Sequence, residues 1–299
     1  MNRYFEEYLS YISGVRSLSP RTTESYRRDL VLFDAYLKTS PFDADISDIR
    51  LFLASLGREG YQASSMNRLL ASIRGFYRYA VHFGLCTDNP SSSVRNLKMP
   101  KKLPHFLFSE DAEAFCASPG NNENSTKSLW PLRDTALLSV LYSTGCRVSE
   151  IASLSMQDMD AQFTSAIVRG KGNKERKVFF STDARKALAA YLAERKACLD
   201  TQQEKKTVHA LFLSKRGNPL SVRGIQFILS RYSDSNTSLQ HLSPHALRHT
   251  FATTLVSRGA DIRIVQELLG HASISTTQRY THVTQERLNK LYHQAHPHG

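Results

Sequence analysis

Cysteine is scarce in this chain: four in 299 residues, at positions 86, 116, 146 and 198. No two stand at the spacing of a metal knuckle or a dithiol redox pair, which argues against a disulfide framework and for reduced thiols. Long apolar runs are also missing. No stretch reaches the 18 or so consecutive apolar residues of a membrane span, and the amino-terminal "MNRYFEEYLSYISGVRSLS" is too acidic and too broken for a signal peptide or anchor. A cytoplasmic protein with no membrane attachment is expected. Acidic residues are fewer than basic ones, 27 against 39, for a net charge of +12. Such a surface attracts polyanions. The carboxylates never gather into the tight cluster of a Mg²⁺ nuclease. His245 and His249 have the i, i+4 spacing of a zinc helix, but "HALRH" lacks the glutamate after the first histidine and places Arg248 where a metal site has no use for positive charge. No metal and no organic cofactor is expected.

Hydrophobic residues make up 41% of the chain, enough for a sizeable core, and the length favours two domains. Residues 1–90 read as a four-helix domain. Ser19 caps and Pro20 opens a helix on which Tyr26, Leu30, Phe33 and Leu37 recur every three or four residues. Asp45 starts another helix. A third places Met66, Leu70, Ile73, Phe76 and Tyr77 on one side, with Arg68, Arg74 and Arg78 free to face outward as candidate DNA contacts, and the segment from Arg3 to Gly14 completes the set. Residues 91–108, with Pro90, Pro100 and Pro104 at or within their bounds, serines and paired lysines but no periodicity, read as an extended linker. Residues 109–299 read as a mostly helical second domain. It carries one change of period, at "SAIVRGKGNKERKVFF", which predicts a short antiparallel hairpin turning at Gly170 and Gly172.

Three segments of this second domain could carry chemistry. In "TGCRVSEIASL", Arg147 opens a helix whose Val148, Ile151 and Leu154 face inward, so the guanidinium needs an anionic partner: Glu150, or a phosphate. In "SPHALRHTFATTL", Ser243 caps and Pro244 starts a helix, placing His245 and Arg248 three residues apart on one face beside free N–H groups and the positive end of the helix dipole. That end attracts anions. In "GADIRIVQELLGHASISTTQRYTHV", Asp261 caps a helix that Gly270 ends in the left-handed conformation, His271 follows the break, and a further short helix presents Tyr280.

Together with "GKGNKER" and the two-domain layout, these segments resemble the tyrosine recombinase (phage integrase) family, most of all its Xer-type site-specific recombinases, over nearly the whole chain. The resemblance implies a mainly α fold. A four-helix, SAM-like core-binding domain would precede a mixed but mostly helical catalytic domain with a small antiparallel sheet. It also implies catalytic roles for Arg147, Lys171, His245, Arg248 and His271, with Tyr280 as nucleophile. The implied reaction cleaves and rejoins duplex DNA through a 3′-phosphotyrosyl intermediate without metal or nucleotide, on an inverted-repeat site, in a tetramer of identical or paralogous subunits. A cell-division DNA translocase is a further possible partner, and resolution of chromosome dimers the leading role. The compact front end and the absence of an extra arm-binding domain favour that role over the integrase of a phage or mobile element. A non-cleaving architectural DNA-binding protein is the third alternative. The segment "TQERLNKLYH" offers Leu288, Leu291 and Tyr292 either to a neighbouring subunit or to packing within its own.

Overall fold

In the computed structural model, residues 1–99, 107–121, 130–170, 174–200, 208–233 and 243–270 are described, with 289, 291–292 and 294–297 near the carboxy terminus. The chain divides into two compact units, Met1–Lys102 and Leu103–Gly299.

Caps set the helices of the first unit: α1 (Arg3–Gly14), α2 (Pro20–Leu37), α3 (Ile46–Arg58) and α4 (Ala63–His82). The Ser19 hydroxyl accepts from the Thr22 amide at 3.2 Å ahead of Pro20. Asp45 and Asp48 satisfy each other's backbone amides in a capping box at the head of α3. The expected apolar face of α4 is buried, with Phe76 edge-on to Phe5 at 4.5 Å between ring centroids. Residues 91–97, at the start of the expected extended linker, pack with this unit. Asn67 donates to the Leu97 carbonyl at 2.9 Å and accepts from its amide at 2.8 Å, and Val94 is buried in the helical core. A segment without periodicity is thus held by side chains of α4. Leu107, at the far end of the expected linker, donates its amide to the Thr250 hydroxyl at 3.1 Å within the second unit.

In the second unit, α6 (Pro131–Thr144) is buried over most of its surface, the apolar Ala136, Leu137, Leu138, Val140 and Leu141 together with the polar Arg133, Asp134, Ser143 and Thr144. Among the described residues it packs against α5 (Ser109–Asn121), α8 (Thr182–Asp200) and α10 (Pro244–Ser257). The hairpin pairs β1 (Ser165–Arg169) with β2 (Glu175–Phe179), antiparallel, Ala166 opposite Val178 and Arg169 opposite Glu175. The short α7 (Val148–Ser153) leads to it, and α9 (Val222–Ser233) and α11 (Ile262–Leu269) complete the described elements. Tyr292, expected to be available to a neighbour or to its own subunit, is buried in its own unit beside Phe179 and donates its hydroxyl to the Ser143 carbonyl at 3.0 Å. Leu288 lies outside the described residues.

Gly145, which ends α6, has φ 56°, and a Cβ there would stand 2.4 Å from Phe251 Cδ1. Gly145→Ala therefore combines left-handed strain with overpacking, and should lower unfolding stability by about 2–5 kcal/mol in a denaturant titration. An unchanged midpoint would mean that the turn relaxes freely.

Candidate active site

The sharp turn at Gly145 delivers Arg147 to the N-cap position of α7, where Glu150 reaches back. Glu150 accepts from the Arg147 amide at 2.8 Å and from its guanidinium at 2.9 Å. The Glu150 side chain is 2% exposed and that of Arg147 is 37% exposed, so the pair places a charge at the surface on a buried counter-charge.

Arg248 comes from α10, whose capping follows the sequence expectation: the Ser243 hydroxyl accepts from the Ala246 amide at 3.2 Å and Pro244 is the first helical residue. Its guanidinium is buried and donates to the Gly145 carbonyl and to the Leu269 carbonyl, each at 2.6 Å. A guanidinium has five N–H donors in a rigid fork, so fixing two of them sets the direction of the rest. Burial, followed by the charge of Arg147 and reinforced by Arg176, pushes the Arg248 pKa down to about 10, with Glu150 opposing. It remains a cation at neutral pH, in a place that disfavours cations. His245, three residues earlier on the same helix, is exposed.

Sequence reasoning gave Arg176 no role, assigning one only to Lys171 in the same segment. NH1 and NH2 of Arg176 donate to the two oxygens of Glu150, each at 2.9 Å, and its Nε donates to the Leu268 carbonyl at 2.9 Å. The signal was the period of two. Arg176 and the buried Val178 share a face of β2, so the strand turns the arginine inward, where it requires an anion. Arg147 and Arg176 thus pair with one carboxylate, Arg248 lies within electrostatic range of it, and the group carries two positive charges in excess. Burial raises the Glu150 pKa, but hydrogen bonds from Arg176 and Arg147 outweigh it and hold the carboxyl below its ordinary value. Glu150→Ala should cost about 3–5 kcal/mol, because two guanidiniums lose their counter-charge. The depressed pKa fixes the sign of the pH dependence. Glu150 stabilises the fold above the ordinary glutamate pKa of about 4.3, and that stabilisation disappears as pH falls through the lower folded value. Denaturant midpoints of wild type and Glu150→Ala should therefore converge on acidification. A constant gap from pH 7 to pH 3 would contradict this account.

Arg147, His245 and Arg248 are the expected catalytic residues whose positions are described. Lys171, His271 and Tyr280 lie outside the described residues. The candidate DNA contacts separate. Arg74 spends its guanidinium on the Val94 carbonyl, the Ser91 carbonyl at 3.4 Å and Asn96 Oδ1 at 2.7 Å, which is what holds residues 91–97 to α4. Arg68 donates to the buried Asp29 carboxylate and to Ser25 Oγ at 2.7 Å while its side chain stays 48% exposed. Arg78 is exposed, with its Nε donating to the Arg74 carbonyl at 3.3 Å. Among the described residues, no three His, Cys, Asp or Glu side chains converge as a metal site, and no helix is long and apolar enough to cross a membrane.

The phage integrase family pattern matches residues 116–287, and the pattern of the phage integrase N-terminal SAM-like domain matches residues 5–84. Tyrosine recombinase XerC of Treponema denticola is 49% identical over 309 residues, covering 100% of both chains. The XerC of Pelotomaculum thermopropionicum is 40% identical over 304 residues, covering 98% of each. Among solved structures, the Tn1549 transposon integrase in complex with circular intermediate DNA shares the fold, with a TM-score of 0.71 at 20% identity, over 96% of this chain and 98% of that one. A lambda integrase dimer bound to a COC′ core site does so with a TM-score of 0.67 at 19% identity, over 90% and 94%. The chain belongs to the phage integrase family, as a site-specific tyrosine recombinase of the XerC type.

Proposed function

We propose that this recombinase cleaves and rejoins duplex DNA by transesterification, with Tyr280 attacking a scissile phosphodiester to give a 3′-phosphotyrosyl enzyme and a free 5′-hydroxyl. The observation that carries the reading is the pair of arginines. Arg147 is partly exposed and Arg248 is oriented by two carbonyls, in a cluster with two positive charges in excess. Negative charge grows on the two non-bridging oxygens as the pentavalent transition state forms, and preorganised guanidinium forks stabilise it more than they do the ground state. His245 and His271 supply hydrogen bonds, and His245 assists removal of the tyrosine proton, since a hydroxyl of reference pKa about 10 is a weak nucleophile. Lys171 protonates the leaving 5′-oxygen. One phosphodiester replaces another, so rejoining to a new strand needs no nucleotide. Arg68 and Arg78 contact backbone phosphates from the first unit, while Arg74 holds residues 91–97.

The substrate is duplex DNA carrying an inverted-repeat site, bound by four recombinase subunits, identical or paralogous, in the cytoplasm, and the biological role is resolution of chromosome dimers at cell division with a DNA translocase as activating partner. Identity to XerC-type relatives along the full length of the chain supports this assignment. The test is a nicked duplex carrying the inverted-repeat site of the source genome, incubated in EDTA and resolved by denaturing electrophoresis. An SDS-resistant, 3′-linked adduct whose peptide maps to Tyr280 is expected. Site-specific binding without an adduct, also in the presence of a paralogous partner, would leave only a DNA-binding protein.

A further inference from the structure

We propose that Arg176 is a positioning residue of the recombination reaction, coupling the hairpin strand, the Glu150–Arg147 pair and the end of α11 into one unit, a role that rests on the transesterification reading above. Glu150 alone could hold Arg147 in many ways, because a carboxylate with one partner rotates about its last torsion. Arg176 removes that freedom. Its two terminal nitrogens take one carboxylate oxygen each, at 2.9 Å, so the plane of Glu150 is fixed by a bidentate pair while Oε1 and Oε2 still accept from Arg147. The third donor, Nε, ties the same guanidinium to the Leu268 carbonyl.

That carbonyl adjoins the one that orients Arg248. Leu268 and Leu269 are the last two residues of α11, where unpaired carbonyls and the negative end of the helix dipole collect, and each accepts from a different arginine. The approach is tight at the glycine that follows. A Cβ at Gly270 would meet Arg176 Cδ at 3.1 Å, and Gly270 also takes φ 65°. Arg176 therefore touches the partner of one catalytic arginine and the neighbour of the other's acceptor, from a strand five residues beyond Lys171 in the sequence. All three of its guanidinium nitrogens already donate within the protein, Nε to the Leu268 carbonyl and NH1 and NH2 to the two Glu150 oxygens, so its donors are spent on positioning and not on phosphate.

The experiment is single-turnover cleavage of the nicked site at saturating DNA by full-length wild type, Arg176→Met, Glu150→Gln and the double variant, with DNA affinity measured across a salt series. The temperature is set below every melting point. Arg176→Met should cleave on the order of a hundredfold more slowly, the scale of a misplaced reacting group. Its affinity and the slope of affinity against salt should match wild type. In the Glu150→Gln background the same substitution should cost less than threefold, because the side chain it acts through has already changed. A salt slope reduced by about 1 would make Arg176 a phosphate contact and overturn the proposal. So would a full hundredfold effect in both backgrounds, or cleavage within threefold of wild type. Should Arg176→Met fail to fold, Arg176→Lys carries the test: it keeps the charge without the three-way fork, and cleavage equal to wild type overturns the proposal. If wild type itself forms no adduct, it is the transesterification reading that fails.

Discussion

Tyr280→Phe is expected to bind its site as wild type does and to form no covalent adduct, with cleavage below about 10⁻⁴ of the wild-type rate, the scale on which enzymes lose a nucleophile. The substitution removes one oxygen and leaves the ring, so the melting temperature should be unchanged. Other tyrosines are poorly suited to substitute. The chain has 13, and several of the described ones are deep in the cores with hydroxyls committed elsewhere. Tyr191 donates to the Leu211 carbonyl and accepts from the Leu213 amide, and burial pushes its pKa up to about 12. Burial does the same to Tyr142. Such groups are neither exposed to DNA nor readily ionised. An adduct of wild-type yield in Tyr280→Phe would assign the nucleophile to another side chain and undo the proposed mechanism.

Replacing Arg248 tests the other half of the chemistry. Arg248→Ala should lower the cleavage rate by about 10²–10³ or more, the loss seen when a preorganised transition-state donor is removed, and the slope of DNA affinity against salt should fall by about 1. Arg248→Lys should recover little. An ammonium keeps the charge, but a single point donor cannot span the Gly145 and Leu269 carbonyls and also present a fork to phosphate. The lowered pKa adds a signature. A cation whose folded pKa lies below its unfolded value is disfavoured by folding, so its contribution rises as pH climbs through about 10, and at neutral pH the charge is held at a cost to the free protein. Phosphate next to Arg248 relieves that cost. Duplex DNA should therefore raise the melting temperature of wild type more than that of Arg248→Ala, under salt conditions where both are saturated. Equal shifts would place the scissile phosphate away from Arg248.

Features decided within a few residues were legible in the sequence. Ser19 with Pro20, Ser243 with Pro244, Asp261 with Gly270 and the hairpin flanking Gly170 all follow from caps, left-handed glycines and a change of period. The Arg147–Glu150 pair, three residues apart, was one of two partners anticipated. Features decided between distant segments were not. Arg176 meets Glu150 across 26 residues and Leu268 across 92, and Arg248 meets Gly145 across 103. No local periodicity encodes such meetings. Helical phase placed Arg68 and Arg74 on the outer side of α4, but it could not reveal Asp29 on α2 or the returning backbone at 91–97. Lack of periodicity likewise suggested an extended linker from residue 91, and could not reveal that Asn67 and Arg74 hold its first residues.

Apart from Glu150 and the Cys146 sulfur, which accepts from Arg176 NH2 at 3.6 Å, the acceptors that orient Arg176 and Arg248 are main-chain oxygens at 145, 268 and 269. A side chain can be replaced without deleting a carbonyl. The scaffold of the arginine cluster is therefore insulated from mutation at Leu268: exchanging that leucine for methionine or isoleucine perturbs packing and leaves the guanidinium's anchor in place. Changes at the bend itself are different, because Gly145 and Gly270 control where the backbone runs. A library that varied this region would divide along that line, with wide latitude at 268 and almost none at the two glycines.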